Sequence, residues 1–565
     1  MGKRLFLLLI SALFLMFVRP VSAFDFSRAN NKFGIHLAQP NIEDLKSAAD
    51  LVNANGGQWG YTTLVIQEND RNTGKWQEVF DRMRKYHLIP IIRLATEPEG
   101  GNWRRPQKAE AESWANFLDS LNWVVKERYV ILFNEPNHGS EWGGEVDAQN
   151  YAETSLGFAK KLTEKNADFF VMLAGLDASA PDYRPGLEDE YAFLQTIFQV
   201  ISKDDFAKYF AGLSSHSYPN PGFAGSPYGS GRISVRTYQW EVDVIRGFGV
   251  TKRLPVFITE TGWSAEHLSR FQIAANYRVA FNEVWGPDEQ VVAVTPFVLD
   301  YQSAPFLSFS WKQPGSSQYF PQYEEVRSLS KPAGSPAQVE KITLDVAFPK
   351  ELVVNSSYHF RVAVKNDGQS IIAKEEGYSL KILDYPNGTY FFSEIAEILP
   401  KQQDDIDFYF KTGNKVDGRK VTIALMKNDR DLVEKREWTF ETVPLPSVII
   451  GVSLYPKVKA AGDDFETQIF DEKNNLLFKK TGVSVENGRG MIESIQNVAL
   501  NIKYRMVILK PYYLPRQTFI VFQKGENRVT FKKMLPFDFN ADGKFDGEDW
   551  LTLLRRPKLL SLFFP

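Results

Sequence analysis

The 565-residue chain reads as a multidomain protein: a (β/α)8 barrel, then two β-rich modules, then a short acidic segment. Three observations predict this order. From Phe24 to about Ser330, short apolar runs alternate with helix-like stretches. A Pro/Gly/Ser stretch, "KPAGSPAQ" (331–338), then interrupts the pattern. Beyond it, helical periodicity gives way to alternating strands with Asn-Gly and Asp-Gly turns.

In the first region the strand candidates are "FGIHLA" (33–38), "WGYTTLVI" (59–66), "IPIIRLA" (89–95), "YVILFNE" (129–135), "FFVMLAG" (169–175), "FAGLSSHSY" (210–218), "PVFITETGW" (255–263) and "VVAVTPFVL" (291–299). Near-continuous apolar strands are what parallel strands covered on both faces require. Between them lie stretches such as "NIEDLKSAADLVNAN" and "KWQEVFDRMRKYH", which start near capping residues and carry apolar positions at helical spacing. Eight such units across residues 24–334 predict a closed barrel. Residues 339–443 are expected to form an Ig-like antiparallel sandwich, "VPLPS" (443–447) a second linker, and 448–535 a second β-rich module.

The N-terminus reads as an export signal. Lys3 and Arg4 precede an apolar stretch, Leu5 to Val18, and Val21-Ser22-Ala23 fits a cleavage site. Residues 1–23 are therefore expected to be removed, leaving a secreted, bacterial-type protein with no membrane span; an uncleaved anchor is the alternative. The chain has no cysteine, so its cores alone must hold it outside the cell. A net charge of −3 gives no basic field for nucleic acid. Aromatic residues make up 14%, suited both to cores and to stacking against sugar rings.

In a barrel of this kind the chemistry sits at the C-terminal ends of the strands. Strand four ends in Asn134-Glu135-Pro136 and strand seven in Glu260. Strand six ends in His216 and Tyr218, strand three carries Arg93, and strand one carries His36. The apolar run before Glu135 anchors it on a rigid strand, and Pro136 turns the chain away. Two carboxylates across one barrel mouth are the machinery of glycosidic bond cleavage. Set near apolar walls and a second carboxylate, Glu135 is expected to have a raised pKa. Trp103 and Trp142 lie in Gly-rich loops on the same face.

With "NEP" at strand four and "ITETGW" at strand seven, residues 24–330 resemble the clan A glycoside hydrolases, retaining (β/α)8 enzymes. The resemblance implies Glu135 as acid/base, Glu260 as nucleophile, Asn134 on the sugar 2-hydroxyl, and Tyr218, in the His216-x-Tyr218 pair, on the nucleophile. It implies Trp311, in "LSFSWK", as the floor of the glycone subsite. Arg93, His36, Trp142 and Trp263 complete the expected substrate-binding set.

The C-terminal segment, 536–565, carries "DFNADGKFDGED". Counting Asp538 as one places Asn540 at three, Asp542 at five, Gly543 at six, Lys544 at seven, Asp546 at nine and Asp549 at twelve, the ligand spacing of an EF-hand. The loop resembles that of a dockerin, implying structural calcium and a cohesin-like or cell-surface partner; one such repeat is visible. The sequence thus predicts a secreted retaining glycosidase acting on β-linked polysaccharide or oligosaccharide, with no cofactor for catalysis. A non-catalytic carbohydrate-binding protein and a transglycosylase are the alternatives.

Overall fold

The computed structural model describes residues 24–384, 389–456 and 460–563; the expected signal peptide lies outside them. Contacts divide the chain after Val339 into two compact units.

The first unit holds eight parallel strands. Strands β1 (Gly34–His36), β2 (Gly60–Gln67), β3 (Leu88–Ala95), β4 (Arg128–Leu132) and β5 (Phe169–Leu173) pair in that order. Strands β6 (Leu213–His216), β7 (Val256–Glu260) and β8 (Val291–Val294) form the other sheet. A parallel bridge between Phe33 and Val294 joins β8 to β1, and the Ala211 N–H donates to the Val171 carbonyl at 2.9 Å beside β5 and β6. The ring is thereby closed. Closure explains Gly34: a Cβ there would meet Thr295 Cγ2 at 2.6 Å. The strands are buried on both faces because helices cover the outside. Helix α1 (Ile42–Asn53) shows how: the Asn41 side chain accepts from the Asp44 N–H at its start, and Leu45, Ala48, Leu51 and Val52 turn inward.

The stretch 331–338 is a connection held to the barrel. Lys331 is buried and donates to the carbonyls of Val326, Arg327 and Leu329. The Lys126 N–H donates to the Ala337 carbonyl at 2.8 Å.

The second unit begins with two four-stranded sheets that face each other across Val362, Phe408, Phe410, Val421, Ile423 and Trp438. Alternation of buried and exposed positions, clear along Ser357–Asn366, gives each strand one core face. An eight-stranded sheet follows, starting at Ser447–Gly451. The expected linker 443–447 shrinks to residues 444–446, because Val443 and Ser447 are both in strands. The two β-rich parts are also tied together: the Tyr358 hydroxyl donates to the Val498 carbonyl at 2.9 Å, and Asn497 N–H to Ser356 Oγ at 3.0 Å. The acidic segment follows strand Pro536–Asp538 and leads into the helix Gly547–Arg555. After that helix Phe563 is buried against Tyr513, Phe537 and Phe539, which gives the apolar C-terminal stretch a packing role.

Candidate active site

Strand β4 ends at Leu132, and the next residues are bent sharply. Phe133 has φ +75° and Glu135 φ +27°, both in the left-handed region. Phe133 is buried against Trp142 and Phe158, which fixes the turn from below. The bend carries Asn134 and Glu135 into a cavity of about 350 Å³ at the barrel mouth. Glu260, the last residue of β7, opens into the same cavity, with Arg93 and Tyr218.

The two glutamates are held differently. Glu260 receives the Arg93 guanidinium on Oε1 and the Tyr218 hydroxyl on Oε2 at 3.0 Å. His216 Nδ1 and His36 Nε2 each lie 3.9 Å from its oxygens. Burial pushes its carboxyl pKa up, but the charges of His216 and Arg93 outweigh that and bring it down to about 2. Glu260 is thus an anion at any working pH. Glu135 accepts from His216 Nδ1 at 2.7 Å. Room for that imidazole comes from Gly175, where a Cβ would collide with the His216 ring. One oxygen of each glutamate and one nitrogen of His216 all lie within 4.8 Å of one another. The trio is not arranged for a metal, since the Arg93 guanidinium already lies on Glu260.

The surrounding groups have fixed roles. Arg93 also donates to Asn134 Oδ1 at 2.6 Å, so one guanidinium orients both the Glu260 carboxylate and the amide. Burial, then the charges of Glu260 and Glu135, raise the Tyr218 hydroxyl well above its usual range, so it remains a donor. Burial opposes charge on His216, yet Glu260 and the Glu135 hydrogen bond raise its pKa overall. Burial lowers His36 to about 3, with help from Arg93, and it stays neutral; neither ring nitrogen has a hydrogen-bond partner. His138 Nε2 pairs with Asp177 at 2.9 Å at the cavity wall.

Of the tryptophans expected on this face, Trp103 lines the cavity and the others lie elsewhere. Trp142, Trp263 and Trp311 are buried packing residues: Trp142 against Phe133 and Tyr151, Trp263 against Tyr277 and Trp285, Trp311 against Tyr277. The aromatic wall is Trp103, Phe223, Phe297, Phe306 and Phe309 instead. Sequence reasoning missed the phenylalanines, and it missed Glu141. Burial, followed by the charge of Glu135, pushes the Glu141 carboxyl up to about 7.

At the far end of the chain, the loop 538–549 is wrapped by its own backbone. Asp538 is buried; its Oδ2 accepts from the Gly543 N–H at 3.2 Å, and its Oδ1 has no partner. Gly543 has φ +81°, the sharp turn at position six. Asn540 accepts from the Asp542 N–H, Asp542 from the Lys544 N–H and Asp546 from the Glu548 N–H. Asp549 closes the loop by accepting from Phe539 and Asp546 N–H groups at 2.7 and 2.9 Å. Burial raises the Asp538 carboxyl, and the charges of Asp549 and Asp542 raise it further. The orphaned Oδ1 fits calcium. No three of the loop's carboxylates lie within 4.8 Å of one another, so an ion would have to draw them in.

No protein-family model matches the chain, and no curated protein matches it. Solved structures similar to it include an endo-beta-1,4-glucanase from Xanthomonas axonopodis pv. citri, at 11% identity over 53% of this chain and 97% of that one, TM-score 0.35. A monomeric beta-xylosidase from Caulobacter crescentus CB15 is similar at 11% identity over 86% of this chain and 98% of that one, TM-score 0.37. The catalytic domain of a mannanase from Streptomyces sp. SirexAA-E is similar at 15% identity over 56% and 91%, TM-score 0.34. At these TM-scores the likeness decides nothing about the reaction, which has to be argued from the site.

Proposed function

We propose that the chain is an exported retaining glycosidase acting on β-linked polysaccharide or oligosaccharide. The observation that carries this reading is the spacing of Glu135 and Glu260, with one oxygen of each inside 4.8 Å. Retaining pairs sit roughly 5–5.5 Å apart, whereas inverting pairs leave about 6.5–9.5 Å for a water. Glu260, ionised and gripped by Arg93 and Tyr218, attacks the anomeric carbon and forms a covalent glycosyl-enzyme. Glu135 delivers its proton to the departing glycosidic oxygen, then takes a proton from the water that releases the sugar. His216 holds Glu135 throughout, and Asn134, fixed by Arg93, offers its amide nitrogen to a sugar hydroxyl. A binding protein would have no use for a buried carboxylate held ionised in this way.

The loop 538–549 is read as a structural calcium site formed by Asp538, Asn540, Asp542, Asp546 and Asp549 with the Lys544 carbonyl. Calcium there would supply charge to the buried Asp538.

Proton NMR of the full chain on a defined β-linked oligosaccharide tests the reading. The first-formed anomer is expected to be β. An α product appearing first would remove Glu260 as nucleophile.

A further inference from the structure

The cavity holds one carboxyl that two-glutamate chemistry does not use. Glu141 ends the turn Gly139–Glu141 and lines the wall beside Glu135. Its carboxyl faces the Asn134 side chain. Because Asn134 Oδ1 is committed to Arg93, it is the amide nitrogen that faces Glu141.

The charge around it is one-sided. The charged groups facing Glu141 are Arg93 on β3, Glu135 after β4, Glu260 on β7 and His138 on its own loop. Both cations are committed elsewhere, Arg93 to Glu260 and Asn134, His138 to Asp177. Lining the cavity are four carboxyls, Glu135, Glu141, Asp177 and Glu260, against Arg93 and His138. Glu141 has no ion-pair partner among the described residues, so its charge is the one left over.

We infer that Glu141 is a specificity-determining residue of the proposed glycosidase site, admitting neutral sugars and repelling those that carry a carboxylate. The inference rests on the glycosidase reading. Burial keeps Glu141 protonated until the pH approaches about 7, so its charge, and the repulsion, develop as pH rises through that value. A uronate, with an ordinary carboxyl, is ionised across the whole interval.

The test uses the full chain and dinitrophenyl β-glycosides in matched pairs, glucose with glucuronate and mannose with mannuronate. Members of a pair differ only in hydroxymethyl or carboxylate at C6. Dinitrophenolate leaves without a proton, so Glu135 does not limit the rate. The ratio of kcat/KM, neutral over uronate, is followed from about pH 5.5 to about 8.5. It is expected to climb on the order of tenfold, the scale of one like charge across a partly desolvated cleft, with its midpoint near 7. In Glu141→Gln the ratio should stay flat near its acid value, and in Glu141→Asp the climb should persist. A purely structural role would lower both substrates together. A flat ratio in the unmodified chain, or the same climb in folded Glu141→Gln, overturns the assignment. Failure to turn over any neutral member would instead remove the glycosidase reading, and this inference with it.

Discussion

In the first unit, Glu190, Glu241, Glu260, Arg84, His36 and His216 are all buried. In the second, among the described residues, the buried charged side chains are Asp538 and Asp549, the two ends of one loop. Both units have apolar cores, so apolar alternation alone suffices to fold a sheet. Burying charge is costly, and it persists only where it is paired, protonated or used. Glu190 and Glu241 illustrate the protonated case: burial, and for Glu190 the neighbouring Glu241, raise both carboxyls, with Arg232 Nε 3.7 Å from Glu190. Among the buried charged groups of the first unit, Glu260, His36 and His216 gather at the candidate site.

The largest effects should come from the two glutamates, and they should differ in kind. Glu260→Ala loses both chemical steps, a fall in kcat of roughly 10^4-fold or more. Azide should restore a product of inverted configuration. Glu135→Ala should lose about 10^2–10^4-fold on natural leaving groups yet keep most turnover of a dinitrophenyl glycoside. Full activity in either variant on a natural substrate would break the assignment.

Calcium should act on the second unit alone. At about 100 times its Kd, calcium contributes about 2.7 kcal/mol to the form that binds it, so the melting transition of that unit should rise by several degrees. Asp538→Ala should abolish the shift without changing kcat. A calcium dependence of kcat itself would erase the separation between the units.

A further effect concerns His36. Its pKa falls from 6.5 to about 3 on folding, so the unfolded chain binds the extra proton between those values. Stability should therefore decline as pH drops through that window. His36→Gln should remove part of the decline, read as melting temperature against pH; an identical slope would mean that His36 is already protonated in the folded protein.

The sequence made part of this site legible. Asn134-Glu135-Pro136 and Glu260 stand at the ends of short apolar runs, and strand ends are where a barrel puts its chemistry. Arg93 and Tyr218 follow from the same rule. Trp142, Trp263 and Trp311 do not, because a tryptophan near a strand end can turn inward: Trp142 packs on Phe133. Phe297, Phe306 and Phe309, from the stretch after β8, meet Phe223 from the loop after β6, and nothing local announces that meeting. Glu141 sits in "HGSEWGG", which reads as a solvated loop; only the fold brings it under Asn134. The expected linker 443–447 is shorter in the fold, since Val443 and Ser447 lie in strands and the prolines between them separate two sheets of one compact unit.

The left-handed backbone at Glu135 bears on how this protein could be evolved in the laboratory. A non-glycine residue in that conformation costs about 1–2 kcal/mol, and Glu135→Gly would release the part of it that exceeds glycine's own entropy cost. Libraries sorted only for heat resistance would then enrich glycine at 135 and converge on durable but inert clones. A stabilisation campaign on this barrel should screen turnover in every round.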